Sequence, residues 1–254
     1  MPLRTRASRR RRALTRPFPD EWRELLARRW ELWSSLRPDE RERLEPSIQV
    51  FIADKRWEAS RRFVITDEMK VLIAAQACLL VLELDDHHYA GVGTIIVHPS
   101  TITLRGERPT DMAGVWEDGP YSILGQAHHR GPVLLAWDAV AVGARHPRRG
   151  HNVVFHEFAH KLDMLDGTVD GTPPHADRET LDRWVAVCTR VYRALRAGQG
   201  GPLLGDYAAS NPGEFFAVAT EVFFTLPVEL RLDVPELYSV LAAFYRQDPA
   251  ARLA

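Results

Sequence analysis

The sequence predicts an α+β fold, mainly helical with a small mixed β-sheet, and three observations carry that expectation. Apolar residues recur at three- and four-residue steps through most of the chain. β-Branched runs are confined to its middle, and helical texture returns from Asn152 to the end. At 254 residues, 45% hydrophobic and 26% charged, the chain has the material for one large core and an ordinary globular composition.

The first 16 residues stand apart. RTRASRRRRALTR, residues 4–16, holds seven arginines and no acid, and residues 1–17 are expected to form a disordered basic tail ahead of a single domain over 18–254. A lone basic run is weak evidence for a polyanion partner, and with a net charge of −1 no direct nucleic-acid binding is expected. Over residues 18–33, Trp22, Leu25, Leu26, Trp30 and Trp33 fall on one helical face, with Asp20 suited to the N-cap. RPDERERLEPSIQVFIADKRW, residues 37–57, reads as a helix or helix pair, with Pro38 in a first turn and Pro46 at a break. Thr66 can cap a nearly all-apolar helix running through Leu84. TIIVHPSTITL (94–104), broken at its proline, and GPVLLAW (131–137) read as strands, with a turn-rich loop between them. Helices follow over 152–165 and about 177–197, 212–225 and 235–247.

Several classes are disfavoured. The longest apolar run, VLIAAQACLLVL at 71–82, is interrupted by Gln76 and too short to span a bilayer. No apolar segment follows the basic start, so neither a membrane partner nor secretion is expected and the expected address is cytoplasmic. Cys78 and Cys188 sit in apolar helical patterns and are expected free and buried, as suits a reducing compartment.

The chemistry lies in HEFAH, residues 156–160. On a helix His156 and His160 share a face one turn apart and can chelate one zinc ion. Glu157 is rotated about 100° away, beside the ion, where a base for an activated water belongs. Composition alone would produce H-E-x-x-H only about 0.03 times in such a chain, so the pattern is informative. Two histidines leave a catalytic zinc one protein ligand short. Asp166 sits where H-E-x-x-H-x-x-G-x-x-H/D enzymes carry their third ligand, but Asp163 replaces the required glycine and no Met-turn methionine follows Met164. DYAASNPGEFFAVATEVFF, residues 206–224, offers Glu214 and Glu221 two turns apart on one helical face. Either could ligate while the other holds a histidine ring from behind. Glu214 could instead be the N3 member of a capping box begun by Asn211, and Glu221 a surface glutamate. Spacing barely favours Glu214. Tyr207 is suited to donate to an oxyanion without carrying charge, or is a structural tyrosine at a loop–helix junction.

HEFAHKLDMLDG, DYAASNPGEFFAVATEVFF and FYRQDPAARL (244–253), with LIAAQACLLVLELD (72–85) before the strands, together resemble the Mlc titration factor A (DgsA anti-repressor) family of bacterial zinc peptidases. A looser similarity extends to the catalytic domain of anthrax lethal factor. The resemblance covers about residues 18–253 and leaves the arginine run and HHYAG (87–91) without counterparts. It implies a zincin-like metallopeptidase of glutamate-zincin type, aminopeptidase-like and cytoplasmic, with one zinc per chain. It implies His156, His160 and Glu214 as ligands, Glu157 as general base and Tyr207 as oxyanion donor, acting on a peptide or protein substrate. It equally implies an alternative, a regulatory protein that sequesters a transcriptional repressor, with peptidase activity secondary. Binding alone needs neither a base nor an oxyanion donor, so Glu157 and Tyr207 weigh towards an enzyme. GPVLLAW is either the strand beside the cleft, to which an extended substrate adds, or an ordinary core strand. His128, His129, His146, His151 and His175 lie outside the pattern and are expected as polar loop residues.

Overall fold

The computed structural model describes residues 5–59, 63–84, 88–109, 116–123, 125–127 and 131–253, with the strands between 102 and 127 described by their backbone. Its architecture is α+β and mainly helical. One helix organises the core: α5 (Asp67–Leu80) starts where Thr66 Oγ1 accepts from Met69 N at 3.3 Å. From Val71 to Leu80 every residue of it is buried, as an all-round apolar helix requires. It ends four residues before the expected Leu84.

Against α5 pack α2 (Asp20–Arg29) and α4 (Pro38–Asp54). The expected first helix is split at Trp30, which is extended, so that α3 (Glu31–Ser35) follows separately, and Asp20 occupies the first helical position rather than the cap. Pro46 does not break α4. It costs one hydrogen bond to the carbonyl of Glu42, which is exposed to water, while burial of Leu44, Ile48 and Phe51 holds the helix together across it. The arginine run departs from the expected disordered tail: Arg6–Leu14 form helix α1, packed on α4. Arg6 Nε reaches both oxygens of Asp54 at 2.8 and 2.6 Å, and Arg9 Nε donates to Ala53 O at 3.2 Å. Asp54 is the anion that the run itself lacks.

The sheet has the order β1 (Arg56–Ala59), β2 (Thr94–His98), β6 (Val133–Ala136), β5 (Gly125–Ala127); the first three are parallel and β5 is antiparallel to β6. β1 was expected within a helix, but its ladder comes from β2, with Trp57 opposite Ile95, a pairing no local pattern displays. Strand β3 (Ile102–Pro109) begins within the expected strand TIIVHPSTITL and runs on into the segment expected as a loop, which also holds β4 (Trp116–Ile123); the two pair antiparallel in unbroken register from Ile102↔Ile123 to Pro109↔Trp116. GPVLLAW yields β6, bonded on both sides and with Val133 and Leu135 buried, so it cannot accept an added strand. The antiparallel edge is β5.

Helix α6 (Trp137–Arg145), not anticipated, follows β6 directly. Then come α7 (Val153–Asp163), α8 (Arg178–Arg196), α9 (Pro212–Thr225), α10 (Pro227–Asp233) and α11 (Pro235–Tyr245). Cys78 and Cys188 are buried thiols that form no disulfide among the described residues. Among the described residues, no helix is long and apolar enough to cross a membrane.

Candidate metal and catalytic site

Two neighbouring helices build the site. α7 begins at Asn152, whose Oδ1 accepts from Phe155 N at 3.0 Å. Val154, Phe155, Phe158, Ala159 and Leu162 are fully buried and fix the helix in the core, leaving His156 and His160 on the face towards α9. Phe158 sits against the rings of Phe51 and Tyr89, with centroids 5.7 and 4.9 Å away.

α9 begins at Asn211, whose Oδ1 accepts from Glu214 N at 2.9 Å. Glu214 is therefore at N3, as a capping box would have it, yet its carboxylate turns to the histidines. The chain after α7 is pressed against this helix start. A Cβ on Gly171 would lie 2.3 Å from Pro212 O, and φ there is +74°, so the position demands glycine. Gly171 N donates to Asp163 Oδ2 at 3.0 Å, and Trp184 Nε1 donates to Gly171 O at 3.1 Å, locking the loop to both neighbours.

Three ligand-type atoms converge between the helices. His156 Nε2 lies 3.2 Å from His160 Nε2 and 2.9 Å from Glu214 Oε2, and His160 Nε2 lies 3.5 Å from the same oxygen. A cation held tetrahedrally by N and O ligands at 2.0–2.1 Å would set edges of about 3.3–3.4 Å, so the triangle fits a small metal ion. Glu214 Oε2 is buried and, for all its closeness to both rings, has no well-formed hydrogen bond. Among the described residues this trio is the group of histidines and acids placed to hold a metal. Asp166 is not part of it; exposed in the turn after α7, it accepts from Thr168 N at 2.9 Å and Thr168 Oγ1 at 2.7 Å.

Glu221 has the other task weighed for it. Its Oε1 lies 2.7 Å from His156 Nδ1, and its Oε2 accepts from Asn152 N. Asn152 Nδ2 in turn donates to Gln76 Oε1 at 2.7 Å, and Gln76 Nε2 donates to Leu72 O at 3.0 Å. A buried polar chain thus runs from α5 through the cap of α7 to the back of the His156 ring, fixing which nitrogen faces Glu214. Sequence reasoning missed Asn152 and Gln76; the visible signal was the glutamine interrupting an otherwise apolar run.

Charge is tightly balanced. Burial opposes charge on His156, but the carboxylates of Glu214 and Glu221 against its ring outweigh it and hold the pKa well above 6.5. Burial would likewise raise Glu214, yet the two histidines hold it well below the usual carboxylate range. Glu157 goes the other way: burial, reinforced by Glu214 and Glu221, pushes its carboxyl up to about 8 against the pull of His156 and Lys161. Its Oε2 is buried without a hydrogen-bond partner in the protein. Lys161, lowered to about 8 by burial, donates to Gly131 O at 3.1 Å beside β6. Tyr207 stands in the turn Asp206–Ala209 ahead of α9, 58% exposed, its ring centroid 6.1 Å from that of His156.

Of the remaining histidines, His146 and His151 are exposed, His175 is half-buried among aromatic rings, and His128 and His129 lie outside the described residues.

Comparison with known proteins gives a consistent result. A family model described as glucose-regulated metallo-peptidase M90 matches residues 4–246, and so takes in the arginine run. An uncharacterized protein of Synechocystis sp. is 37% identical over 237 residues, 92% of this chain and 86% of its own. Mlc titration factor A of Edwardsiella ictaluri is 35% identical over 228 residues, 87% of this chain and 86% of its own. Its namesake in Yersinia pestis is 32% identical over 238 residues, 92% and 86% respectively.

Proposed function

The chain belongs to the glucose-regulated metallo-peptidase M90 family, and from that premise we propose that it is a zinc-dependent peptidase of the aminopeptidase-like, glutamate-zincin kind. The observation that carries the reading is the triangle of His156, His160 and Glu214 beside a buried carboxyl with one unsatisfied oxygen. On this reading those three residues hold one zinc ion per chain. Bound there, zinc supplies Lewis acidity and lowers the pKa of a water from 15.7 to about 7.

The protein's own residues do the rest. Glu157 takes the proton as the water attacks the amide carbonyl and passes it to the leaving amine. A carboxyl without solvent and without a competing donor on Oε2 is suited to that exchange. Tyr207 donates its hydroxyl to the carbonyl oxygen as negative charge develops. Glu221 keeps His156 in one tautomer and one orientation. An extended substrate would pair with the backbone of β5, since β6 has no edge left to give.

A second reading rests on the relatives' name. Mlc titration factor A is named for titrating Mlc, and by that likeness this chain would bind a transcriptional repressor in the cytoplasm, with hydrolysis secondary. The two can coexist.

Cleavage of a peptide library with and without chelator, by wild type and by Glu157→Gln, tests the first reading. Metal-dependent cleavage by wild type, and its loss in a variant that keeps its zinc, is the expected result. Undiminished cleavage by Glu157→Gln, or zinc loss from it, would remove Glu157 from the role of base. Absence of cleavage by metal-loaded wild type, with repressor binding intact, would favour the second reading.

A further inference from the structure

Behind α9, away from the metal face, lies a cavity of about 470 Å³ between α8 and α11. Phe216 is two residues past Glu214, about 200° around the helix, and packs on Trp184 and Phe244 at 5.5 and 6.0 Å. Those two rings and His175 form the cavity's aromatic wall: His175 lies 4.9 Å from Trp184 and 5.6 Å from Phe244, and Trp184 lies 5.5 Å from Phe244.

Three features make this more than a packing gap. First, Arg183 and Arg246 both line it, and among the described residues no carboxylate does. Asp177, two residues past His175, is occupied as the N-cap of α8 by Thr180 N at 2.8 Å and Thr180 Oγ1 at 3.0 Å. Secondly, His175 Nε2 is buried with no hydrogen-bond partner in the protein, an expense that a bound acceptor or donor would remove. Thirdly, Arg246 caps α11 in the left-handed region, with φ +53°, a conformation costly for a side chain of its kind. Arg183 is steadied by donating from Nη2 to Ser239 Oγ at 2.9 Å.

We infer that this cavity is a binding site for a small aromatic anion, its ring against Phe244 and His175 and its carboxylate or phosphate between Arg183 and Arg246. The pairing follows from the lining. Guanidinium groups take carboxylates and phosphates as planar donor forks, and half-buried Phe244, backed by the buried Trp184, offers an apolar face beside the polar nitrogen of His175. The volume lies within the range of small-molecule sites. Nothing here depends on the metal triangle, which is on the opposite side of α9.

Titration calorimetry on the metal-loaded protein tests it, with phenyl phosphate and indole-3-acetate as probes and indole-3-acetamide as the uncharged control. Saturable binding of at least one anion at millimolar concentration or below is expected, with the amide weaker by tenfold or more. Arg183→Gln and Arg246→Asn should each weaken the anion about ten- to a hundredfold, the loss of a charged hydrogen bond. Asparagine tolerates the left-handed backbone, so the second variant keeps the fold, and metal content should stay at the wild-type level in both. Failure of both anions to saturate, equal binding of the amide, or unchanged affinity in both variants would each overturn the site; the last would place the anion elsewhere, as on the metal.

Discussion

Glu214 and Glu221 stand seven residues apart on α9 and address the same imidazole from opposite sides. Glu214, in the first turn, approaches His156 Nε2 and His160 Nε2 with an oxygen that has no well-formed hydrogen bond. Glu221, in the middle of the helix, takes His156 Nδ1 with one oxygen and Asn152 N with the other. One carboxylate keeps an oxygen without a hydrogen-bond partner and the other is satisfied. Helical periodicity cannot tell them apart, because a seven-residue step returns to nearly the same face. What separates them is which ring nitrogen each meets, and that is set by α7 and by the Asn152–Gln76 pair behind it.

The largest effect should come from removing this distinction at its metal side. Glu214→Ala should abolish stable metal binding, measured by metal analysis after dialysis, whereas Asp166→Ala should bind as wild type. If Glu214 served only the cap of α9, its variant would lose ~0.5–2 kcal/mol of stability and keep its metal. Metal retention by Glu214→Ala would therefore erase the contrast.

Tyr207 comes next in size. Tyr207→Phe removes only a hydroxyl from an exposed ring, so fold and metal content should be unaffected. If that hydroxyl serves the oxyanion, single-turnover hydrolysis should slow by ~10²–10³, or about 2.7–4 kcal/mol, with little change in KM. A wild-type single-turnover rate would confine the tyrosine to structure.

On the other side of the ring the effect should be smaller and of another kind. Glu221→Gln keeps an acceptor for His156 but loses its charge, and metal affinity should fall ~10–100-fold without being lost. Metal affinity of Glu221→Gln equal to wild type would deny that the second glutamate tunes the first ligand; complete loss would make the two glutamates equivalent.

How much of this was legible beforehand follows the same division. His156, Glu157 and His160 declare themselves by spacing, and Asn211 announces the start of α9. Spacing barely separates the two glutamates, and it is the family resemblance that singles out Glu214; the ties from Glu221 to His156 and from Gln76 to Asn152 needed the distance between α5, α7 and α9, which no local pattern encodes. Long helices were readable because their own periodicity forms them, whereas β1, β4 and the part of β3 beyond Leu104 were missed because strand pairing takes its partner from elsewhere in the chain. The arginine run was read as a tail because the acid that holds it, Asp54, lies at the far end of α4. Pro46 misled for a related reason: the local rule was outweighed by burial on either side of it.

The smallest effect concerns a third carboxylate, and it sharpens the contrast by its pH dependence. Asp163, at the end of α7, is fully buried, and burial pushes its carboxyl up to about 6 despite the hydrogen bond from Gly171 N. Glu214 is displaced in the opposite sense. An acid whose folded pKa is raised contributes stability that is fully present below its unfolded pKa of about 3.9 and lost as pH rises through the folded value. Asp163 should therefore weaken the fold between about pH 4 and 7, by up to ~3 kcal/mol if all of a two-unit displacement is expressed. Glu214, held low, contributes stability that is present above its unfolded pKa of about 4.3 and declines only on further acidification. The two windows barely overlap, so one variant can isolate one of them. Asp163→Asn keeps an acceptor for Gly171 N and cannot ionise. Its stability relative to wild type, from urea unfolding of the metal-loaded proteins, should rise steadily from pH 4 to 7 and then level off. A difference that stays flat over that range would mean that Asp163 is not displaced upward in the folded protein, and that burial at the end of α7 is compensated more fully than the backbone hydrogen bonds from Gly171 and Thr172 explain.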